Sequence, residues 1–156
     1  MTEWEGLLRL AVAAVIGGAI GFERETLDKS AGLRTHMLVC MGAALFMVCS
    51  VLLVHEFGGG PVTIVDPTRI ASTIVTGVGF LGGGIIFKDA KHVRGLTTAA
   101  GLWVAAAIGM AAGAGFYITA AGGGVLTLII LNVLGRVESS MNFGKRQQNS
   151  GQSIEE

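Results

Sequence analysis

The segment GLTTAAGLWVAAAIGMAAGAGFYITAAGGGVLTLIILNVLG, Gly95 to Gly135, runs for 41 residues without Asp, Glu, Lys or Arg. One membrane crossing takes about 20 mostly apolar residues, so this run has the length of two. Ala112-Gly113-Ala114-Gly115 divides it, and glycine there permits a tight turn at little steric cost. Just before the run stands a compact charged segment, Lys88-Asp89-Ala90-Lys91-His92-Val93-Arg94. Function is therefore sought where an apolar body meets a short charged rim.

Working outward, three more apolar segments precede this hairpin, at about residues 5–22, 35–54 and 67–87, and the run itself supplies 96–113 and 116–134. The chain is 51% hydrophobic and 14% charged, with a mean hydropathy of +0.66, which places it among membrane proteins. Lipid offers no partner to an unpaired backbone amide, and these segments are too long for barrel strands. The fold class expected is all-α: a polytopic membrane protein of five transmembrane helices, with the amino terminus outside and the carboxyl terminus cytoplasmic. Residues 1–138 form its transmembrane domain, and 139–156 a polar, disordered cytoplasmic tail rich in Gln, Asn, Ser and Gly.

Charge sets that orientation. Five crossings place Arg24, Lys29, Arg34, Lys88, Lys91, Arg94, Arg136, Lys145 and Arg146 on one side, leaving Arg9 and Arg69 on the other with Glu3, Glu5, Glu56 and Asp66. Basic residues concentrate on cytoplasmic faces, so the first side is inside. Glu3 and Glu5 stand where a cleaved signal peptide would carry basic residues. Arg9, four residues after Glu5, is expected to pair with it or to snorkel. Asp66-Pro67 reads as a cap followed by proline at the first position of the third helix. Cys40 and Cys49 are nine positions apart and face opposite sides of one helix, as reduced hydrophobes.

The 25 glycines concentrate inside the spans. Helices in lipid associate through close backbone approach at small residues, and Gly17/Gly21 and Gly79/Gly83 have the spacing for it. Gly77, Gly79, Gly82, Gly83 and Gly84 form the densest group. One reading is helix packing, within one protomer or a dimer. The other is a break at Gly82-Gly83-Gly84, since each glycine weakens a helix by about 1 kcal/mol relative to alanine, and an unwound segment would expose backbone groups to an ion.

The rim carries the remaining candidates. Glu23, Arg24, Glu25, Asp28, Arg34 and Thr35 lie after the first span, and Asp89, Arg94, Thr97 and Thr98 after the third; Asp66 and Arg69 lie on the outer side. Thr35, Thr97 and Thr98 are expected to cap helix starts. The charged groups are either a salt-bridge network pinning helix ends or a cation, anion or partner site. His36, His55 and His92 lack metal-ligand spacing. No catalytic set, HExxH motif or phosphate loop is present, so an enzyme is not expected, nor is a cofactor. Zero formal charge and no basic run give no sign of nucleic acid.

Several ordered motifs carry a resemblance across about residues 7 to 135: Gly18-Ala-Ile-Gly21-Phe-Glu23-Arg24-Glu25, Ala31-Gly32-Leu33-Arg34-Thr35-His36, Asp66-Pro67-Thr-Arg69-Ile-Ala71, Gly77-Val-Gly79-Phe80-Leu81-Gly82-Gly83-Gly84, and Val93-Arg94-Gly95-Leu96-Thr97-Thr98-Ala99-Ala100-Gly-Leu-Trp103. Together they resemble the MgtC/SapB family of bacterial inner-membrane proteins. The resemblance implies a multi-pass plasma-membrane protein linked to growth at low magnesium, with Mg2+ as a ligand or substrate. In some members it also implies survival inside host phagocytes. The family's virulence members imply modulation of a membrane partner such as the F-type ATP synthase, while the glycine-rich faces point to a homo-oligomer in the lipid bilayer; a magnesium or small-ion transporter and a purely structural oligomer are the alternatives. Thr73 and Gly83 stand where the family pattern carries glutamine and alanine. No carboxyl-terminal soluble domain follows, so the chain resembles the short SapB-type branch.

Overall fold

A computed structural model of the chain describes residues 1–57, 66–89 and 92–135. The expected polar tail, 139–156, lies outside the described residues, as do Lys91, Arg136, Lys145 and Arg146. Five helices follow in order: α1 (Glu3–Thr26), α2 (Leu33–Phe57), α3 (Pro67–Ile85), α4 (Leu96–Ala114) and α5 (Tyr117–Ile129). The last continues into a π-helical segment, Ile130–Leu134. Between α3 and α4 sits a small antiparallel hairpin, β1 (Phe87–Lys88) with β2 (Val93–Arg94), in which Phe87 pairs with Arg94.

The chain is a mostly helical membrane protein. Among the described residues four segments are long and apolar enough to cross a bilayer: Glu3–Thr26, Leu33–Glu56, Leu96–Ala114 and Tyr117–Leu134. Five such segments were expected, and α3 is the one not among them. At 19 residues it has the length, but Arg69, Ser72, Thr73, Thr76 and five glycines dilute its apolar character.

Each helix starts and stops for a local reason. Thr2 caps α1 in a reciprocal capping box with Glu5. Glu5 is thus engaged with Thr2, and Arg9 goes elsewhere: its Nη1 donates to the Gly113 carbonyl at 2.8 Å. A cation at the carboxyl end of α4 complements the helix dipole, so of the two expectations for Arg9 the pairing with Glu5 is not the one seen. Asp66 caps α3 by accepting from the Thr68 backbone N–H and hydroxyl, at 2.9 and 2.7 Å. Those hydrogen bonds, with Arg69 nearby, hold its carboxyl below the usual aspartate range. Gly115 ends α4 in the left-handed conformation, φ +90, at the tight turn expected inside the charge-free run.

The interior is made of small residues and the exterior of large ones. Ala13, Cys40, Ala44, Ala112 and Ala120 are buried around Ile20 and Ile108. Trp4, Val15, Phe46, Phe80 and Ile118 point outward. That inversion suits lipid, where close backbone approach replaces a hydrophobic drive. α2 sits at the centre, held on both sides. A methyl at Gly17 would lie 2.7 Å from the His36 carbonyl oxygen, and one at Gly21 equally close to the Leu33 Cα. On the other side Gly109 meets the Cys40 carbonyl and Gly113 that of Ala44. Cys40 is buried in this seam and Cys49 is exposed, so the two face apart as expected.

α3 joins the bundle mainly through α4, with Ile74 and Val78 against Ala106 and Gly82 against Ala99. It is helical through Gly82, Gly83 and Gly84 and ends one residue later. Of the two readings of these glycines, the break is therefore not the one seen: they occupy the closing turn, where helix termination needs no unwinding.

Candidate functional site at the charged end of the bundle

The carboxyl end of α1, the amino ends of α2 and α4 and the π segment after α5 meet at one end of the bundle. Glu23 and Arg24 close α1, and their neighbours settle differently. Arg24 is only 4% exposed, and its Nη2 donates to the Thr98 hydroxyl at 3.3 Å. Its Nε is buried without a hydrogen-bond partner, as are both carboxylate oxygens of Glu23. Unpaired buried charge is costly, by several kcal/mol per ion in general, and marks functional candidates at membrane depth.

Glu25 has a structural task. Its Oε2 accepts from the Leu33 N–H at 2.7 Å, so a carboxylate rather than Thr35 serves the start of α2. Thr35 is exposed within the first turn, beside exposed Arg34. Asp28 occupies the left-handed region, φ 56, in the turn leaving α1. Thr97 and Thr98 do not cap α4 either. Gly95 takes the cap position at φ +89 and brings no side chain to the free amides; a methyl there would overlap the Ile85 carbonyl, so the position is confined to glycine. Thr98 instead turns inward to Arg24. Asp89 and Arg94 lie in the hairpin, where the Asp89 N–H donates to the His92 carbonyl at 2.8 Å.

Sequence reasoning passed over His36 as a site residue. It is fully buried in the first turn of α2, with Nδ1 3.0 Å from the Gly32 carbonyl oxygen. With Nδ1–H donating there, Nε2 is left unpartnered and faces Gly101. The spacing of Gly101, Ala105, Gly109 and Gly113, one every four residues, was the available signal for this packed face of α4. Asn132 was also missed. It lies in the π segment, a geometry that often marks functional positions, and its amide donates back to the Leu128 carbonyl of α5. Among the described residues no three His, Cys, Asp or Glu side chains converge as a metal-ligand group.

The glycines of α3 lie elsewhere and do something different. Gly77, Gly79, Gly83 and Gly84 have no neighbour within 4 Å of where a methyl would stand. At 100° per residue they flank Phe80, which is 83% exposed, on the outward arc of the helix. Beside them a groove of about 790 Å³ opens between α2 and α3. Its lining is almost wholly apolar and includes Gly42, Phe46, Thr73, Gly77 and Leu81, with the buried, unpartnered Ser50 hydroxyl as a polar point. Asp66 and Arg69 lie at the opposite end of α3, away from the charged rim.

An apolar-surfaced helical bundle, held by small residues and carrying buried charge at one end, defines a polytopic membrane protein. The sequence model of the MgtC family matches residues 10–140, and the chain belongs to that family. It is 48% identical over 135 residues to YhiD of Escherichia coli K12, named as a candidate magnesium transporter, covering 83% of this chain and 60% of that protein. It is 49% identical over 124 residues to Protein MgtC of Brucella abortus strain 2308, covering 80% and 48%. Protein SapB of Bacillus subtilis strain 168 is 39% identical over 112 residues, covering 71% and 48%. The chain thus spans about half to three-fifths of the length of these curated relatives. No solved structure matches it.

Proposed function

We propose that this chain is a non-enzymatic, five-span protein of the bacterial inner membrane that serves magnesium homeostasis by docking a membrane partner on α3. In this reading α3 is the fifth crossing. Its 19 residues reach about 28 Å at 1.5 Å per residue, close to the thickness of a hydrocarbon core. The excess of basic residues at the rim supports a cytoplasmic carboxyl terminus.

One observation carries the proposal: Gly77, Gly79, Gly83 and Gly84 lie on the outside of the bundle, unpartnered, beside an apolar groove. Glycine in a lipid-facing helix forgoes helix propensity, about 1 kcal/mol each against alanine, and gains close approach only if another helix arrives. The family supplies the magnesium context, and an F-type ATP synthase subunit is one partner of the right kind. A second copy of the chain is the competing occupant. The test is affinity capture of the tagged full chain from cells grown at low magnesium, beside a Gly79→Leu, Gly83→Leu variant. Recovery of a different membrane protein, lost in the variant, supports the reading; recovery of the chain's own copies alone contradicts it.

Transport of Mg2+ or another small ion is the second reading, favoured by the name of the Escherichia coli relative and by the unpartnered Glu23 carboxylate. Purified protein in liposomes should then pass ions, and Glu23→Gln should abolish the flux. No flux from the wild-type chain would end it.

A further inference from the structure

The two arginines of α1 address opposite ends of α4, and only one is electrostatically matched. Arg9 sits at the carboxyl end, where the helix dipole is negative and a cation is welcome. Arg24 sits at the amino end, beside Thr98, where the dipole is positive. A guanidinium there adds like charge to like. The first-turn amides of α4 receive no side-chain cap, because the cap residue is Gly95.

Both features open into one pocket of about 780 Å³. Among the described residues its polar lining is Arg24, Lys29, Thr97, Thr98 and Asn132, with no carboxylate. Glu23 lies outside the lining, as adjacent residues of a helix point 100° apart. Arg24 is more than nine-tenths buried and keeps an unpartnered Nε at this site. Leu27, Leu96, Ile130, Leu131 and Leu134 supply an apolar wall, much of it from the π segment, whose irregular winding brings Asn132 into the same lining.

We propose that this pocket binds a phosphate-bearing anion, with the group on the α4 amides between Arg24 and Lys29. Helix amino termini with uncapped amides are ready anion sites, and guanidinium forks suit phosphate oxygens. The charge-assisted bonds would satisfy the Arg24 donors and relieve the mismatch at the dipole. The chemistry has two sources at this depth: the headgroup of an anionic lipid, whose acyl chains the apolar wall would accompany, or a soluble phosphate. The site is distinct from the α3 face and does not depend on the function proposed for it.

Native mass spectrometry of the purified full chain separates the sources. One arm adds phosphatidylglycerol against phosphatidylethanolamine; the other adds inorganic phosphate or ATP against chloride. Arg24→Gln is expected to weaken binding roughly tenfold or more, as for a lost charge-assisted hydrogen bond. Lys29→Gln, exposed and safe for folding, should weaken it roughly twofold to fivefold. Preferential binding in either arm that falls in Lys29→Gln supports the site and names its source, even if Arg24→Gln does not fold. Lack of preference in both arms, or binding indifferent to Lys29→Gln, would overturn it.

Discussion

The glycines of α1 and α4 and those of α3 look alike in the sequence and behave as opposites in the fold. Gly17, Gly21, Gly109 and Gly113 press against the backbone of α2, where no side chain fits. Gly77, Gly79, Gly83 and Gly84 press against nothing. Both groups include pairs spaced by four, so spacing announces that a helix has a close-packing face without saying what meets it. The first group explains why the bundle holds together in lipid. The second is an exposed face that the chain itself leaves uncovered.

The sharpest way to break this contrast is to place a large side chain in each group. Gly109→Leu drives a branched side chain into the Cys40 carbonyl and should cost more than the roughly 1–3 kcal/mol usual for overpacking, since backbone cannot yield as a side chain does. Loss of the monodisperse peak in fluorescence-detected size exclusion is the expected readout. Gly79→Ala should instead preserve that peak and raise the melting temperature, through about 1 kcal/mol of helix propensity with nothing to clash against. Equal damage from the two substitutions would dissolve the distinction.

Smaller effects test how the fixed group is framed. Arg9→Met removes the charged hydrogen bond to Gly113 and should destabilise the bundle by about 1.5–3 kcal/mol in thermal unfolding. Glu25→Gln weakens the start of α2 by about 0.3–1 kcal/mol, given its exposed setting, and the loss should shrink with added salt. The least effect comes from Asp66, whose carboxyl titrates below its unfolded value. Its contribution to the start of α3 is then fully present above the unfolded pKa and is lost as pH falls through the lower folded one. Protection from hydrogen exchange at the first turn of α3, taken relative to the intrinsic rate at each pH, should therefore hold steady near neutrality and fall only at strongly acid pH, and Asp66→Asn should flatten that response. An onset near neutral pH would assign the change to another group.

Much of the fold was legible because membrane helices announce themselves by length and apolarity. The hairpin of α4 and α5, its Gly115 turn and the Asp66-Pro67 start of α3 all follow from local chemistry that one segment contains. The charged end was harder, because its contacts join residues far apart in the chain. Thr98 reads as a cap until Arg24, 74 positions away, is seen to claim its hydroxyl. His36 reads as an isolated histidine until Gly101 is seen opposite it. The alternative of a break at Gly82–Gly84 failed for a related reason. Composition located the weakness, but the end of the helix at Ile85 lay too close for the weakness to unwind anything.

The central claim is that α3 meets another polypeptide while the outer face of α1 meets lipid. Photo-crosslinking tests it directly, with the reactive residue placed at Phe80 on α3 or at Val15 on α1, both exposed, in cells grown at low magnesium. The account predicts a discrete adduct with a second membrane protein from position 80 and none from position 15. Adducts from neither position, or the same adducts from both, would contradict it.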